Sequence, residues 1–264
     1  MKHLSYPSLI CLLLIVAGAY FWPNHGVDID LMAKLQAPSM THWFGTDWLG
    51  RDQFSRTMKA LICSLEVGGI AAILSSLIAF SLAIIASSHE RLAWLVDLLV
   101  DTMMSLPHLL LLILLTLALG GSSQGVIFAI TLSHWPKLTR LLRAEVSQLV
   151  SQPYILLAKN FGKPYWQVLV QHMVPHLLPQ WLTGLLLLIP HAILHAAALT
   201  FLGFGLNPNS PSMGVLLSEA SRYLIIGNWW LALFPGLVLI LVLLLFAENA
   251  GRFTAKLRQG QSSC

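Results

Sequence analysis

Two histidines, His191 and His195, stand four residues apart in an apolar run that also holds Pro190. In a helix this spacing puts both imidazoles on one face, and imidazole nitrogens suit nickel, copper or zinc. Two such ligands give weak coordination that a passing ion can leave. Two carboxylates, Asp97 and Asp101, repeat the spacing in another apolar run, where an acid marks either a structural ion pair or an ion path. The missing motifs narrow the chemistry. No Gly-x-x-x-x-Gly-Lys-Ser/Thr loop is present to cradle nucleotide phosphates, so any energy source belongs to a partner. A metalloprotease helix would need Glu where Ala192 stands, and no Gly-x-Ser-x-Gly elbow occurs. The chain reads as non-catalytic, with no cofactor of its own, and intramembrane metalloproteolysis is a remote alternative.

The elements that must position these groups are membrane helices. Of 264 residues, 56% are hydrophobic and 10% charged, and the mean hydropathy is +0.74. A soluble domain carries about 25% charged residues. The expected class is therefore all-α, a polytopic membrane protein forming one domain over residues 1–264, because helices satisfy their own backbone hydrogen bonds in lipid. Cys11, Cys63 and Cys264 are too scattered for a disulfide framework or a metal knuckle. A net charge of +4 reflects orientation in the membrane and does not point to nucleic acid.

Six spans are expected. Leu9–Trp22 is a retained first helix ending in an aromatic belt, followed by a folded outer loop over about residues 23–60. Val67–Ala86, free of charge, is the second, and Leu95–Leu119, with Asp97 and Asp101 near its start, is the third. Val126–Pro136 starts a fourth whose other half acquires Lys137, Arg140, Arg143 and Glu145. Leu177–Leu206, broken by Pro179 and Pro190, is the fifth, and Trp229–Phe246 the sixth, with an outer loop over 207–228 between them. Between the fourth and fifth lies a polar, basic island, about residues 142–176. Lys34, Arg51, Arg56, Lys59 and Arg222 fall in the outer loops, and the other ten of the 15 Lys and Arg residues fall on the opposite side. That bias places both termini and the island in the cytoplasm.

Several strings, in order, resemble ATP-binding-cassette (ABC) importer permeases of the dipeptide, oligopeptide and nickel family, in particular its second-permease type. His42-Trp-Phe-Gly45-Thr-Asp47-Trp-Leu-Gly50-Arg51-Asp52-Gln-Phe-Ser-Arg56 is similar to the family's opening H-x-x-G-T-D-x-x-G-R-D-x-x-S-R segment. In the island, Ala158, Gly162, Val174 and Pro175 match the EAA loop, with Leu156 at the family's glutamate position. Leu199-Thr-Phe-Leu-Gly203-Phe-Gly205, Ser212-Met-Gly214, Leu217-Ser-Glu219 and Phe234-Pro-Gly236 resemble later family strings. Leu132-Ser-His-Trp135 and the His191/His195 pair are closest to nickel-transporting members.

The resemblance implies a type I permease fold in the inner membrane and alternating access. It implies a second permease in a heterodimer, two ATPase subunits that hold ATP and magnesium, and an extracytoplasmic binding protein. Leu156, Ala158, Lys159, Gly162, Lys163, Val174 and Pro175 would couple to the ATPases, leaning on apolar packing and the two lysines. Gly45, Asp47, Gly50, Arg51 and Asp52 would brace the outer loop, and His191 and His195 would line the pathway. The expected cargo is nickel or another transition metal, free or as a metallophore chelate, with di- or oligopeptides as the alternative.

Overall fold

The computed structural model describes residues 7–23, 28–205 and 211–261, the side chains of residues 159 and 257–261 excepted. Lys2, residues 24–27, Leu206, residues 207–210 and the side chains of Lys159 and Arg258, all part of the sequence reading, lie outside the described residues. Apart from one bridge between Thr46 and Asp52, the regular structure described is helical. Its α-helices are α1 (Pro7–Tyr20), α2 (Gln53–Ser88), α3 (Glu90–Ser105), α4 (His108–Ala118), α5 (Ser123–Val150), α6 (Pro153–Asn160), α7 (Tyr165–Val168), α8 (Val174–Phe201), α9 (Met213–Leu224) and α10 (Trp230–Gln261).

Three apolar stretches are long enough to cross a membrane: α2, the run from α7 through α8, and α10. The pair α3 and α4 forms a fourth, bent by 97°. Helix α1 is a shorter apolar helix, and α5, 28 residues long, carries its charges in its second half. The arrangement is compatible with the expected six, with three changes of detail. The third span is not one straight helix. Leu106 is extended (φ −82°, ψ 142°) because the Pro107 ring excludes helical geometry from the residue before it. The fifth span, conversely, runs unbroken through Pro179 and Pro190, and the Thr183 hydroxyl donates to Pro179 O at 3.0 Å. Both segments expected as outer loops contain helix: residues 53–60 already belong to α2, and α9 lies within 207–228.

Helix α2 is the spine. Ala60, Ser64, Gly68, Ala71, Ala72, Ser75, Ser76, Ala79, Ala83 and Ala86 are buried along it. Such small residues let membrane helices approach closely, where apolar burial alone gives little drive. A side chain at Gly68 would stand 2.9 Å from the Ile193 backbone of α8. On the other side Ala79, Ala83 and Ala86 pack with Trp135, Leu138 and Leu142 of α5. At 1.5 Å per residue, the 36 residues of α2 reach about 54 Å, so its two ends lie on opposite faces of any bilayer.

The His42–Arg56 segment folds over the first end. Asp47 is 2% exposed and Arg56 4%. Asp47 accepts hydrogen bonds from the backbone N–H of Leu49 (2.8 Å) and Arg51 (2.9 Å), from Arg51 Nε (2.7 Å) and from Arg56 Nη1 (2.6 Å). Arg56 Nη1 also lies 2.9 Å from Glu219 Oε2 in α9. Asp52 caps α2 by accepting from Ser55 N at 2.8 Å, and takes His42 Nδ1 at 3.0 Å. Gly50 turns with φ +77°, and a β-carbon there would fall 1.6 Å from Asp30 O. These contacts tie the string to the start of α2 and to α9.

The buried pair sets an expectation. Asp47→Ala leaves Arg56 desolvated with only Glu219 beside it, a loss of about 3 kcal/mol, and it lowers the thermal midpoint of the purified chain by roughly 6–12 °C. Differential scanning fluorimetry in detergent checks it.

Candidate functional site

Two features of this scaffold bear on function, a histidine-lined cavity between helices and an apolar hairpin at the far end of α2. The cavity measures about 370 Å³, and its walls include His108, His134, His191, His195, Lys137 and Met103. His108 opens α4 just past the Pro107 bend, His134 projects from α5, and His191 and His195 from α8. The three rings of His108, His134 and His195 lie edge to face, with centroids 4.7, 4.7 and 5.0 Å apart. One ring nitrogen of each lies within 4.8 Å of one in both others.

The expected pair is therefore only partly what assembles. His195 joins the cluster, whereas His191 is exposed on the cavity wall with its Nδ1 2.9 Å from Leu187 O. His108 and His134 take its place. A sequence signal existed for both, since His108 and the pair Ser133-His134 are polar residues inside apolar runs, but nothing in spacing along the chain shows that α4, α5 and α8 converge.

Asp97 and Asp101 do not reach this cavity. Asp97 Oδ1 pairs with Arg143 Nη1 at 2.9 Å and Asp101 pairs with Arg140, tying α3 to α5. Arg143 also donates to Ala93 O at 2.7 Å. The acids thus hold the bent third span against its neighbour.

The hairpin is α6, a turn at Phe161–Pro164, α7, and one wide π-helical turn (Leu169–Met173) leading into α8. Gly162 reverses the chain with φ +78°, a conformation a side chain disfavours. Ile155, Ala158, Val168, Leu169 and Met173 face inward against Val146 and Leu149 of α5. Tyr165 Oη lies 2.6 Å from Ser87 Oγ, tying the hairpin to the end of α2. Outward stand Leu156, Leu157, Phe161 (83% exposed), Trp166 (67%) and Val170, with Lys163 beside them. Of the expected coupling residues, Leu156, Gly162, Lys163 and Pro175 lie on the surface. Ala158 is buried and supports the hairpin from beneath, and Val174 is half-buried against the same cluster. At the opposite end a polar cavity of about 1030 Å³ is walled by Trp48, Ser122, Thr200, Glu219, Arg222 and Tyr223.

Residues 73–256 match the family model described as "Binding-protein-dependent transport system inner membrane component". The chain belongs to this family. It is 30% identical over 239 residues to the dipeptide transport system permease protein DppC of Bacillus subtilis, covering 90% of this chain and 75% of that one. It is 34% identical over 240 residues to a putative peptide permease protein of Brucella suis biovar 1, covering 90% and 78%. Its fold matches a chain from the inward-facing MetNI methionine ABC transporter with a TM-score of 0.60 at 15% identity, over 75% of this chain and 94% of that one. The protein is an ABC importer permease of the peptide-permease kind, not an enzyme. It is a multi-pass protein of the inner membrane that works with ATPase and substrate-binding subunits.

The Ser87–Tyr165 hydrogen bond fixes how firmly the hairpin sits. Tyr165→Phe removes about 1 kcal/mol and raises local opening of residues 153–173 roughly fivefold, which hydrogen exchange resolves peptide by peptide.

Proposed function

We propose that this chain is one of two different membrane-spanning subunits forming the pathway of an ATP-driven importer for small peptide-class solutes. Both termini and the 153–173 hairpin face the cytoplasm in this reading. The hairpin surface carries it: Phe161, Trp166, Leu156, Leu157 and Val170 are exposed together at the end of the bundle where basic residues concentrate. An apolar patch of this kind is a docking surface, and a folded support beneath it transmits motion to α5 and α8. The polar cavity at the other end is suited to receive solute from a binding protein. Closure of the ATPases would pull the hairpin and, through the continuous run of α7 and α8, reshape the histidine-lined cavity. Peptide-class cargo is supported by the similarity to dipeptide and peptide permeases. A second reading, nickel or another transition metal entering free or as a metallophore chelate, is favoured by the four histidines lining that cavity.

Gly162→Val tests the coupling. A β-branched residue at φ +78° costs about 1–2 kcal/mol in local strain, and nothing lies close enough to its β-carbon to add a clash, so the variant inserts normally. Expected is roughly a tenfold loss of ATPase co-purification and a matching loss of solute uptake. Undiminished co-purification and uptake would overturn the hairpin's role.

A further inference from the structure

The residues that assemble in the cavity point beyond peptide passage. His134 is 6% exposed, deep within a helix, where a polar side chain is costly unless it is used. Its Nδ1 lies 3.0 Å from Ile130 O and 2.9 Å from Ser133 Oγ, which places the proton on Nδ1 and leaves Nε2 with its lone pair toward the cavity. His195 is held alike, with Nδ1 2.8 Å from His191 O and the same nitrogen 3.4 Å from His134 Nε2, which leaves its own Nε2 without a partner among the described residues. His108 has no hydrogen-bond partner for either nitrogen among the described residues, and it stands over both rings. Backbone carbonyls that orient imidazoles in this way are the outer shell that metal-binding histidines require.

We propose that His108, His134 and His195 form a transition-metal site inside the translocation cavity, taking a borderline first-row cation such as nickel, cobalt or zinc. A metal about 2.0–2.1 Å from each nitrogen holds the ligands about 3.3 Å apart. The three nitrogens lie within 4.8 Å of one another, so small ring rotations close the site. The helices supplying them are distinct, α4, α5 and α8, which makes the site sensitive to any relative motion of the three. A metal held by three neutral imidazoles keeps open positions for ligands carried with it. Lys137 is the one formally charged residue lining the cavity among those described. It opposes a bare cation and favours a metal that arrives with carboxylates attached, so an anionic amino-acid or peptide chelate is the ligand class the cavity suits. This deepens the importer reading by naming a substrate class within the same pathway, while metal binding itself is a property of this chain alone.

The test uses the full chain without a histidine tag, in lipid nanodiscs, titrated with cobalt chloride and followed by the visible absorption of histidine-bound cobalt, then with nickel by calorimetry. One ion per chain is expected, with affinity reduced at least about tenfold in each of His108→Gln, His134→Gln and His195→Gln, and unchanged in His89→Gln at the exposed start of α3. Should His134→Gln fail to fold, as judged by gel filtration and circular dichroism, His108→Gln, on the half-buried ring, carries the test. Nickel presented with excess histidine should bind more tightly in the parent than in Lys137→Gln. Absence of saturable binding, or binding equal in all the histidine variants, overturns the site. Failure of the Gly162→Val prediction alongside intact metal binding would instead remove the coupling assignment and leave this site standing.

Discussion

Everything in this molecule hangs on how closely three helix backbones can approach. Along α2 the buried positions are Ala, Ser and Gly for most of its length, and the reason is physical: in lipid, helices gain little from hiding Leu from a solvent that is itself hydrocarbon, so contact area and close packing must do what water does elsewhere. The large apolar residues accordingly point outward, with Leu114 and Leu117 of α4 and Leu241 and Leu244 of α10 all exposed. Bulk at Gly68 would push α8 away from α2. Ile193, immediately between the two histidine positions of α8, is what Gly68 accommodates, so the depth at which His195 meets α4 and α5 is fixed by a glycine on another helix.

The same spine joins two regions of opposite character. At one end, charge is buried and satisfied: Asp47 draws in two arginines, and α9 contributes Glu219. At the other, a hairpin holds its apolar residues on both faces, one face packed and one bare. One end of the spine is thus held by buried ion pairs, and the other by apolar packing on one side only.

Much of this was legible in the sequence. Charge-free runs located α2, α8 and α10, and Gly162 and the Asp47 string marked the turn of the hairpin and the buried ion pairs. What sequence could not give was convergence. His191 and His195 share a helical repeat, so spacing alone selected them, yet the rings that neighbour His195 lie on α4 and α5, brought there by packing that leaves no periodic trace. Pro107 and Pro190 illustrate the same limit. Both are prolines in apolar runs, but one follows a residue free to extend and ends a helix, whereas the other is carried through by α8 with neighbours packed around it. Ala158, matched by family pattern, turns inward because it shares a helix face with Ile155 three residues before it, while Leu156 and Leu157 fall on the opposite face.

The right-angled bend between α3 and α4 turns α4 into a lever. Its 11 residues extend about 17 Å from Pro107, so a tilt of roughly 10° about that point swings its far end by about 3 Å and displaces His108, one residue from the pivot, by under about half an ångström. The histidine sits at the fulcrum. Large excursions of the cavity's wall are thereby compatible with a small displacement of the His108 backbone, and residues at the two ends of the same helix meet different demands.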